Sequence, residues 1–187
     1  SKRTNRKKPL MIGLAGGQGS GKTTISSILT LILQKYFKLK VFKVSIDDFY
    51  KSRKDRKLLS KNKHPLLMTR GVPGTHDIDL ILKFFNKVKS KNFKVLEIPK
   101  FNKAIDDRCK KNVWHRLRSK PDVIIFEGWC VGAQAQNAKI LKKPINSLER
   151  VYDQNIKWRY YVNNQLKTKY KVLFKQLDEL LYLKAKN

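Results

Sequence analysis

The sequence predicts an α/β fold in which a mostly parallel sheet carries helices on both faces, giving three layers. Short apolar runs typical of buried strands alternate along the chain with segments of helical periodicity, and such alternation builds parallel sheets. The chain has 187 residues, of which 41% are hydrophobic. It is therefore long and apolar enough to form one domain with a full core.

Each element follows from its own pattern. The first strand is an apolar run, the first helix has apolar residues three and four positions apart, and later elements repeat these two patterns. In chain order we predict a strand at 10–15, a helix at 22–37, a strand at 40–46, a basic loop or short helix at 51–63, a helix after 77, strands at 94–98 and within 122–127, one long helix at about 148–176, and a last extended run at 180–183. Residues 1–9 are predicted to be a basic flexible tail, and residues 10–187 the domain.

The most specific motif lies between the first strand and the first helix. Residues Gly16-Gly17-Gln18-Gly19-Ser20-Gly21-Lys22-Thr23 match the phosphate-binding pattern G-x-x-x-x-G-K-[ST] at every fixed position. Glycines let the backbone curve around a phosphate chain, and the following helix adds its positive end. We therefore expect residues 16–24, including Thr24, to bind a nucleoside triphosphate. Lys22 reaches the β- and γ-phosphates in this arrangement, and the Thr23 hydroxyl is a ligand for Mg²⁺.

The charge of the chain is strongly positive. It has 43 Lys and Arg against 14 Asp and Glu, a formal net charge of +29. Such a field attracts polyanions, including nucleic acid, but the cations are spread along the whole chain rather than massed on one element. Incidental basicity, attraction for a small anionic substrate and nucleic-acid binding all stay open, with nucleic acid not favoured.

The spacing of the cysteines and the length of the apolar stretches indicate the cellular compartment. Cys109 and Cys130 are far apart and form no metal-binding spacing, which fits a reducing cytoplasm. No apolar stretch is long enough to span a bilayer. We therefore expect a cytoplasmic protein that has no membrane partner. The sequence gives no oligomeric state.

Acidic residues follow two of the predicted strands. Asp47 comes directly after the second strand, and Glu127 ends the strand near residues 122–127. Carboxyl ends of parallel strands share one sheet edge, so both carboxylates are expected beside the phosphate loop. Each is either a local cap or a functional acid. With a triphosphate loop present we favour function: Asp47 as the base that accepts a hydroxyl proton, Glu127 as a Mg²⁺ ligand.

Two further polar loops contain possible acceptor-binding groups. The segment 70–77 holds Arg70, His76 and Asp77 among two glycines and a proline, and Asp77 is also a natural cap for the helix that follows. The segment 99–108 holds Lys103 and Arg108. From the residues alone, solvated surface positions and binding positions remain equal alternatives.

Together these segments resemble the D-glycerate 3-kinase family, within the P-loop kinases that include uridine kinase, pantothenate kinase and phosphoribulokinase. The residues that carry the likeness are 16–24, 45–50, 70–77, 99–103, 107–108 and 126–129. The resemblance implies a P-loop NTPase fold and the phosphorylation of the 3-hydroxyl of D-glycerate to 3-phosphoglycerate, with ATP and Mg²⁺.

The resemblance also implies roles for individual residues. Lys22, Asp47 and Glu127 match catalytic positions, with Thr23 and Glu127 at the metal. Acceptor recognition is implied for Asp47, Tyr50, Arg70, His76, Asp77, Lys103 and Arg108. A carboxylate substrate favours an Arg partner, which makes Arg70 and Arg108 the stronger candidates for that contact.

The C-terminal end departs from the family pattern. In the family, the strand that matches residues 180–184 is followed by a helix with a Trp-Arg pair, a lid region and further structure near the adenine. This sequence ends at Asn187, so we expect a C-terminally truncated form of the family domain. Two alternatives to D-glycerate phosphorylation stay open: a kinase for a nucleoside or pantothenate, and a non-catalytic protein that binds ATP or nucleic acid.

Overall fold

The computed structural model describes residues 8–184 of the chain. Its strands are β1 (Leu10–Gly16), β2 (Val41–Ser45), β3 (Leu96–Ile98), β4 (Phe101–Asn102), β5 (Asp107–Arg108), β6 (His115–Leu117), β7 (Val123–Glu127) and β8 (Glu179–Leu183). Its α-helices are α1 (Lys22–Lys35), α2 (Arg53–Asn62), α3 (Ile78–Lys89), α4 (Ala138–Leu141), α5 (Ser147–Tyr152), α6 (Lys157–Gln165) and α7 (Lys171–Phe174). Short 3-10 turns lie at Ile46–Phe49, Pro65–Met68 and Lys111–Val113, and a π-helical turn, Leu166–Tyr170, joins α6 to α7.

Four parallel strands form the central sheet, in the order β2-β7-β1-β8. In β1, Gly13 lies between Phe126 of β7 and Leu180 of β8, and β7 pairs with β2 so that Ser45 lies beside Glu127. The carboxyl ends of these strands therefore meet at one edge, beside the loop that leads into α1. This confirms the predicted fold class.

Separate hydrophobic clusters cover the two faces of the sheet. On one face, Ile12, Leu14 and neighbouring strand residues pack against Leu29 and Leu33 of α1. On the other face, the larger cluster brings together side chains of the sheet, α3 and α7, with Phe85 among those that are fully buried. Each such buried side chain contributes about 1.5–3 kcal/mol, so this layered packing is the main support of the fold.

The strand predicted at 94–98 is present, but its expected place in the parallel sheet is wrong. Residues Leu96–Ile98 form a strand, but it pairs antiparallel with β6 in a separate two-stranded ribbon. Leu96 and Ile98 are buried and Glu97 between them is exposed. A ribbon with one buried face is typical of antiparallel pairing, whereas the strands of a covered parallel sheet are buried on both faces.

The predicted long helix at 148–176 is also wrong in its first part. The chain leaves the helix after Tyr152 and resumes at Lys157, with Ile156 at a left-handed φ of 60°. Asp153 lies at this break, and its carboxylate accepts the backbone N–H groups of Trp158 and Arg159 in the first turn of α6 (2.8 and 3.1 Å). A side-chain acceptor for the free N–H groups of a first helical turn stabilises a new helix at this point.

The remaining expectations concern the end of the first helix, the basic segment 51–63 and the N-terminal tail. The first helix is shorter than predicted and ends at Lys35, and residues 53–62 of the basic segment form α2. Residues 1–7 of the predicted tail fall outside the described part of the chain. Within residues 8–184, no helix has both the length and the apolarity that crossing a bilayer requires.

Candidate active site

The loop between β1 and α1 has the conformation that its glycines permit. Gly19 and Gly21 have φ values of 76° and 81°, which other residues rarely adopt. At Gly16 the constraint is space, since an added Cβ would lie 2.6 Å from the Ser20 hydroxyl oxygen. The first turn of α1 contains no acidic residue. The loop therefore closes tightly and leaves the positive end of α1 open to an anion.

The Lys22 ammonium lies against the curve of this loop. Its Nζ donates to the carbonyl oxygens of Gly16 and Gly17 at 2.8 and 2.6 Å. The buried Ser20 Oγ has no hydrogen-bond partner within the described chain. A cation and an unsatisfied hydroxyl thus stand at the place where the motif predicts phosphate oxygens. The residues present fit a phosphate chain.

One cavity of about 520 Å³ joins this loop to the strand-end acids. The residues that line it come from the loop, from the ends of β2 and β7, and from the 70–71 and 103 segments: Gln18, Gly19, Lys22, Thr23, Ser45, Asp47, Tyr50, Arg70, Gly71, Lys103, Glu127, Gly128 and Trp129. Most of these are residues that the sequence predicted. Ser45, Gly71, Gly128 and Trp129 also line the cavity, although the sequence predicted no role for them in the site.

Asp47 lies in the 3-10 turn that follows β2. Its backbone N–H donates to the Ser45 hydroxyl (3.3 Å), which caps the turn. Its carboxylate accepts from Lys103 Nζ at 2.9 Å and is partly open to the cavity. Glu127 ends β7 in register with Ser45. The two carboxylates therefore stand at the sheet edge beside the phosphate loop, as the strand-end rule requires.

Arg70 is held at the cavity wall by groups beneath it. It pairs with the Asp106 carboxylate, and its guanidinium lies 5.5 Å from the centre of the Phe101 ring. The fully buried Arg56 also pairs with Asp106 (3.0 Å) and donates to the Met68 carbonyl (2.7 Å). Partial burial opposes ionisation of Asp106, but the two guanidinium groups outweigh it and lower its pKa. Asp106 is thus a fixed anion that orients the Arg70 fork.

Three of the predicted acceptor residues do not line this cavity. Arg108 donates to the Tyr50 carbonyl oxygen at 2.7 Å and to Asp77 at 3.3 Å. Asp77 also caps α3, since it accepts from the backbone N–H of Leu80 at 3.2 Å. His76 is 2% exposed and lies beneath the Tyr50 ring. In this structure these side chains brace the loop that carries Tyr50.

Trp129 closes the side of the cavity between two loops. Its indole N–H donates to the Gly71 carbonyl oxygen (3.1 Å), and about half of its surface remains exposed. Gly128 before it admits no side chain, because a Cβ there would lie 2.3 Å from Ile46 Cγ2. The glycine thus lets the Glu127 strand end pack directly on the turn that carries Asp47.

Relatives of this chain are kinases. It is 31% identical over 185 residues to the uncharacterized kinase mug58 of Schizosaccharomyces pombe (95% of this chain, 65% of that protein). It is 33% identical over 162 residues to the chloroplastic D-glycerate 3-kinase of Arabidopsis thaliana (81% and 35%). A pantothenate kinase of Streptococcus suis is 30% identical over 142 residues (74% and 42%). The chain thus spans about two thirds or less of the length of these relatives.

A solved structure gives the same result. The D-glycerate 3-kinase from Cryptococcus neoformans superposes with a TM-score of 0.76 at 27% identity, over 94% of this chain and 63% of that one. The model of the Phosphoribulokinase / Uridine kinase family matches residues 11–159, which hold the phosphate loop and both strand-end acids. With its loop, sheet order and relatives in agreement, the chain belongs to the Phosphoribulokinase / Uridine kinase family of P-loop kinases.

Proposed function

We propose that this chain transfers the γ-phosphoryl group of ATP to a hydroxyl of a small carboxylic acid, and that D-glycerate is the acceptor, giving 3-phosphoglycerate. The observation that carries the proposal is the single cavity that joins the phosphate loop, Asp47 and the cations Arg70 and Lys103. Phosphoryl transfer needs little covalent assistance from the protein. Positioning and charge stabilisation dominate, and this cavity offers both.

The phosphate loop provides the donor side. Backbone N–H groups of residues 16–24 and the Lys22 ammonium would hold the β- and γ-phosphates. Mg²⁺ takes oxygen ligands and usually keeps several from phosphates and water. The Thr23 hydroxyl and the Glu127 carboxylate both line the cavity and fit this preference. The metal would neutralise charge on the phosphates.

Asp47 and the cations provide the acceptor side. The Asp47 carboxylate would accept the proton of the acceptor hydroxyl and aim its oxygen at the γ-phosphate. Arg70 is the stronger partner for a substrate carboxylate, because Asp106 already fixes its planar fork at the wall. Lys103 contributes a second positive charge within reach of Asp47. The names of the relatives support D-glycerate among the carboxylic acids that such a wall would attract.

The experiment is an ADP-release assay across acceptors, namely D-glycerate, L-glycerate, pantothenate and uridine. We expect D-glycerate to give the highest kcat/KM. A higher value with pantothenate or uridine would overturn the glycerate assignment and leave the kinase assignment standing. Salt-sensitive RNA or DNA binding without any phosphoryl transfer would overturn both.

Asp47→Asn tests the role of the base, with Asp48→Asn as the matched control. Asp48 is the neighbouring acid, and it accepts from the backbone N–H of Phe101 (3.4 Å) rather than lining the cavity. Asp47→Asn should lower kcat by about 10²–10⁴-fold with ATP affinity retained, while Asp48→Asn should change it far less. Equal activity of the two variants would remove Asp47 from the mechanism.

The compartment forms part of the same proposal. We place the reaction in the cytoplasm, and the two cysteines support this, since both Cys109 and Cys130 are free thiols.

A further inference from the structure

A buried pair of polar rings lies behind the candidate active site. His76 is 2% exposed and Tyr170 is fully buried, and His76 Nδ1 lies 2.6 Å from the Tyr170 hydroxyl oxygen. The same oxygen accepts the backbone N–H of Gly74 at 2.9 Å. These contacts join the 70–77 loop to a helix more than ninety residues later in the chain. Neither ring is among the residues that line the cavity of the candidate site.

Two hydrogen bonds hold the Tyr170 hydroxyl. The Gly74 N–H donates to its oxygen, and the contact with His76 Nδ1 is a second hydrogen bond whose donor depends on the imidazole tautomer. Burial lowers the pKa of His76 to about 3, so that the imidazole is neutral at pH 7. Its Nε2 atom has no partner within residues 8–184. A neutral histidine held in this way is a rigid platform rather than a proton carrier.

Tyr50 rests on that platform. Its ring stacks on the His76 ring with centroids 4.4 Å apart and an angle of 20° between the planes. The backbones on either side are joined as well, since Lys51 N–H donates to Thr75 O and Asp77 N–H to Phe49 O, both at 2.8 Å. The imidazole beneath it and the Phe101 ring, which meets it edge-on with centroids 5.2 Å apart, therefore hold the Tyr50 ring.

Tyr50 in turn faces Asp47. Tyr50 ends the 3-10 turn that carries Asp47, and its backbone N–H donates to the Asp47 carbonyl oxygen (3.3 Å). Burial, and then the charge and side-chain interaction of Asp47, raise the pKa of the Tyr50 phenol. Tyr50 and Asp47 line the same cavity. A displacement of the Tyr50 ring would consequently shift Asp47 and leave the phosphate loop unchanged.

Tyr170 occupies the end of the π-helical turn, Leu166–Tyr170. A π turn inserts an extra residue into a helix, turns the side chains after it about the axis, and is frequent at functional sites. This turn brings the Tyr170 hydroxyl to His76 and Gly74. The irregular helical turn thus ends in a fully buried hydroxyl that takes part in two hydrogen bonds. This arrangement fits a requirement to position the hydroxyl rather than only to fill space.

We propose that Tyr170 and His76 are positioning residues for Asp47: they fix the Tyr50 ring, which holds the Asp47 carboxylate in line with the acceptor hydroxyl. This inference rests on the proposed function, in which Asp47 accepts the hydroxyl proton. It assigns His76 an indirect role, in place of the substrate contact that the sequence suggested.

The test is Tyr170→Phe, measured in the native background and in the Asp47→Asn background. The matched control is Tyr161→Phe. The Tyr161 ring packs on the same loop, 2.5 Å from where a Cβ on Gly74 would lie, whereas the ring contacts of His76 within residues 8–184 are with Tyr50 and Tyr170. Steady-state kinetics with ATP and the best acceptor give kcat and both KM values. If Tyr170→Phe does not fold, His76→Asn replaces it, since it keeps an acceptor near Nδ1 and removes the stacked ring.

We expect Tyr170→Phe to lower kcat about tenfold with the KM for ATP within about twofold, because small misplacements of a reacting group are costly. In the Asp47→Asn background the same change should alter kcat by less than about twofold, since a residue that acts through Asp47 has nothing left to position. Tyr161→Phe should resemble the native protein in both backgrounds.

The opposite outcomes separate the two proposals. Equal losses from Tyr170→Phe in both backgrounds, or no more loss than from Tyr161→Phe, would overturn the positioning role and leave the base assignment intact. Full transfer activity in Asp47→Asn alone would overturn the base assignment and with it the positioning role.

Discussion

The buried imidazole of His76 should make the stability of the fold depend on pH in a defined window. Burial lowers its pKa to about 3 in the folded protein, against an ordinary value near 6.5 in an unfolded chain. Below about pH 6.5 the imidazole of the unfolded chain therefore binds a proton, whereas the imidazole of the folded protein does not. Stability from this group is complete above that pH and is lost progressively as the pH falls towards 3.

The magnitude follows from the two pKa values. One pKa unit corresponds to about 1.4 kcal/mol, and at pH 5.0 the unfolded imidazole is protonated while the folded one is still neutral. Lowering the pH from 7.5 to 5.0 should therefore cost about 2 kcal/mol of unfolding free energy through His76 alone. This is a large fraction of the total stability of a typical domain.

Urea unfolding followed by tryptophan fluorescence at pH 7.5 and pH 5.0 measures this quantity. His76→Gln removes the imidazole, and His115→Gln is the matched control because His115 is exposed on β6. When the pH is lowered from 7.5 to 5.0, the unfolding free energy of the native protein and of His115→Gln should fall by about 2 kcal/mol more than that of His76→Gln. Equal losses in all three proteins would refute the burial of a neutral imidazole at this position.

Two further substitutions have consequences that the geometry defines. Arg70→Lys keeps the charge but loses the planar fork that Asp106 orients. The KM for the acceptor should therefore rise about tenfold or more, with the KM for ATP little changed. An unchanged acceptor KM would exclude Arg70 as the carboxylate contact. Gly128→Ala places a Cβ 2.3 Å from Ile46 Cγ2 and should lower the unfolding free energy by about 1–3 kcal/mol in a urea titration. The control is Gly17→Ala, where no atom lies within 4 Å of the added Cβ, and a loss no larger than in this control would contradict the packing argument.

Local rules account for what the sequence predicted correctly. The loop from Gly16 to Thr23 is identified by adjacent residues, because its conformation depends on its own glycines and on the elements that flank it. Asp47 and Glu127 were placed at one edge because parallel strands end together. Both inferences require only the order of elements along the chain.

Long-range contacts account for what the sequence did not predict. At the break after Tyr152, Asp153 accepts a backbone N–H of α6 and pairs with the buried Arg159. Helical periodicity in the sequence gives no sign of either contact. The burial of His76 depends on Tyr170, which is 94 positions away. Burial and pairing of this kind arise only in the packed fold. They therefore cannot be predicted from the pattern of residues along the chain.

The most direct test of the central claim is calorimetric titration of MgATP into the folded protein at about 150 mM salt. The loop around Lys22 should give saturable binding with a Kd on the order of 1 µM to 1 mM, the range of typical enzyme KM values. Lys22→Ala should weaken it at least tenfold, whereas Lys54→Ala, which removes an exposed lysine on α2, should leave it unchanged. No saturable heat, or equal binding by both variants, would contradict the claim that this loop holds a nucleoside triphosphate.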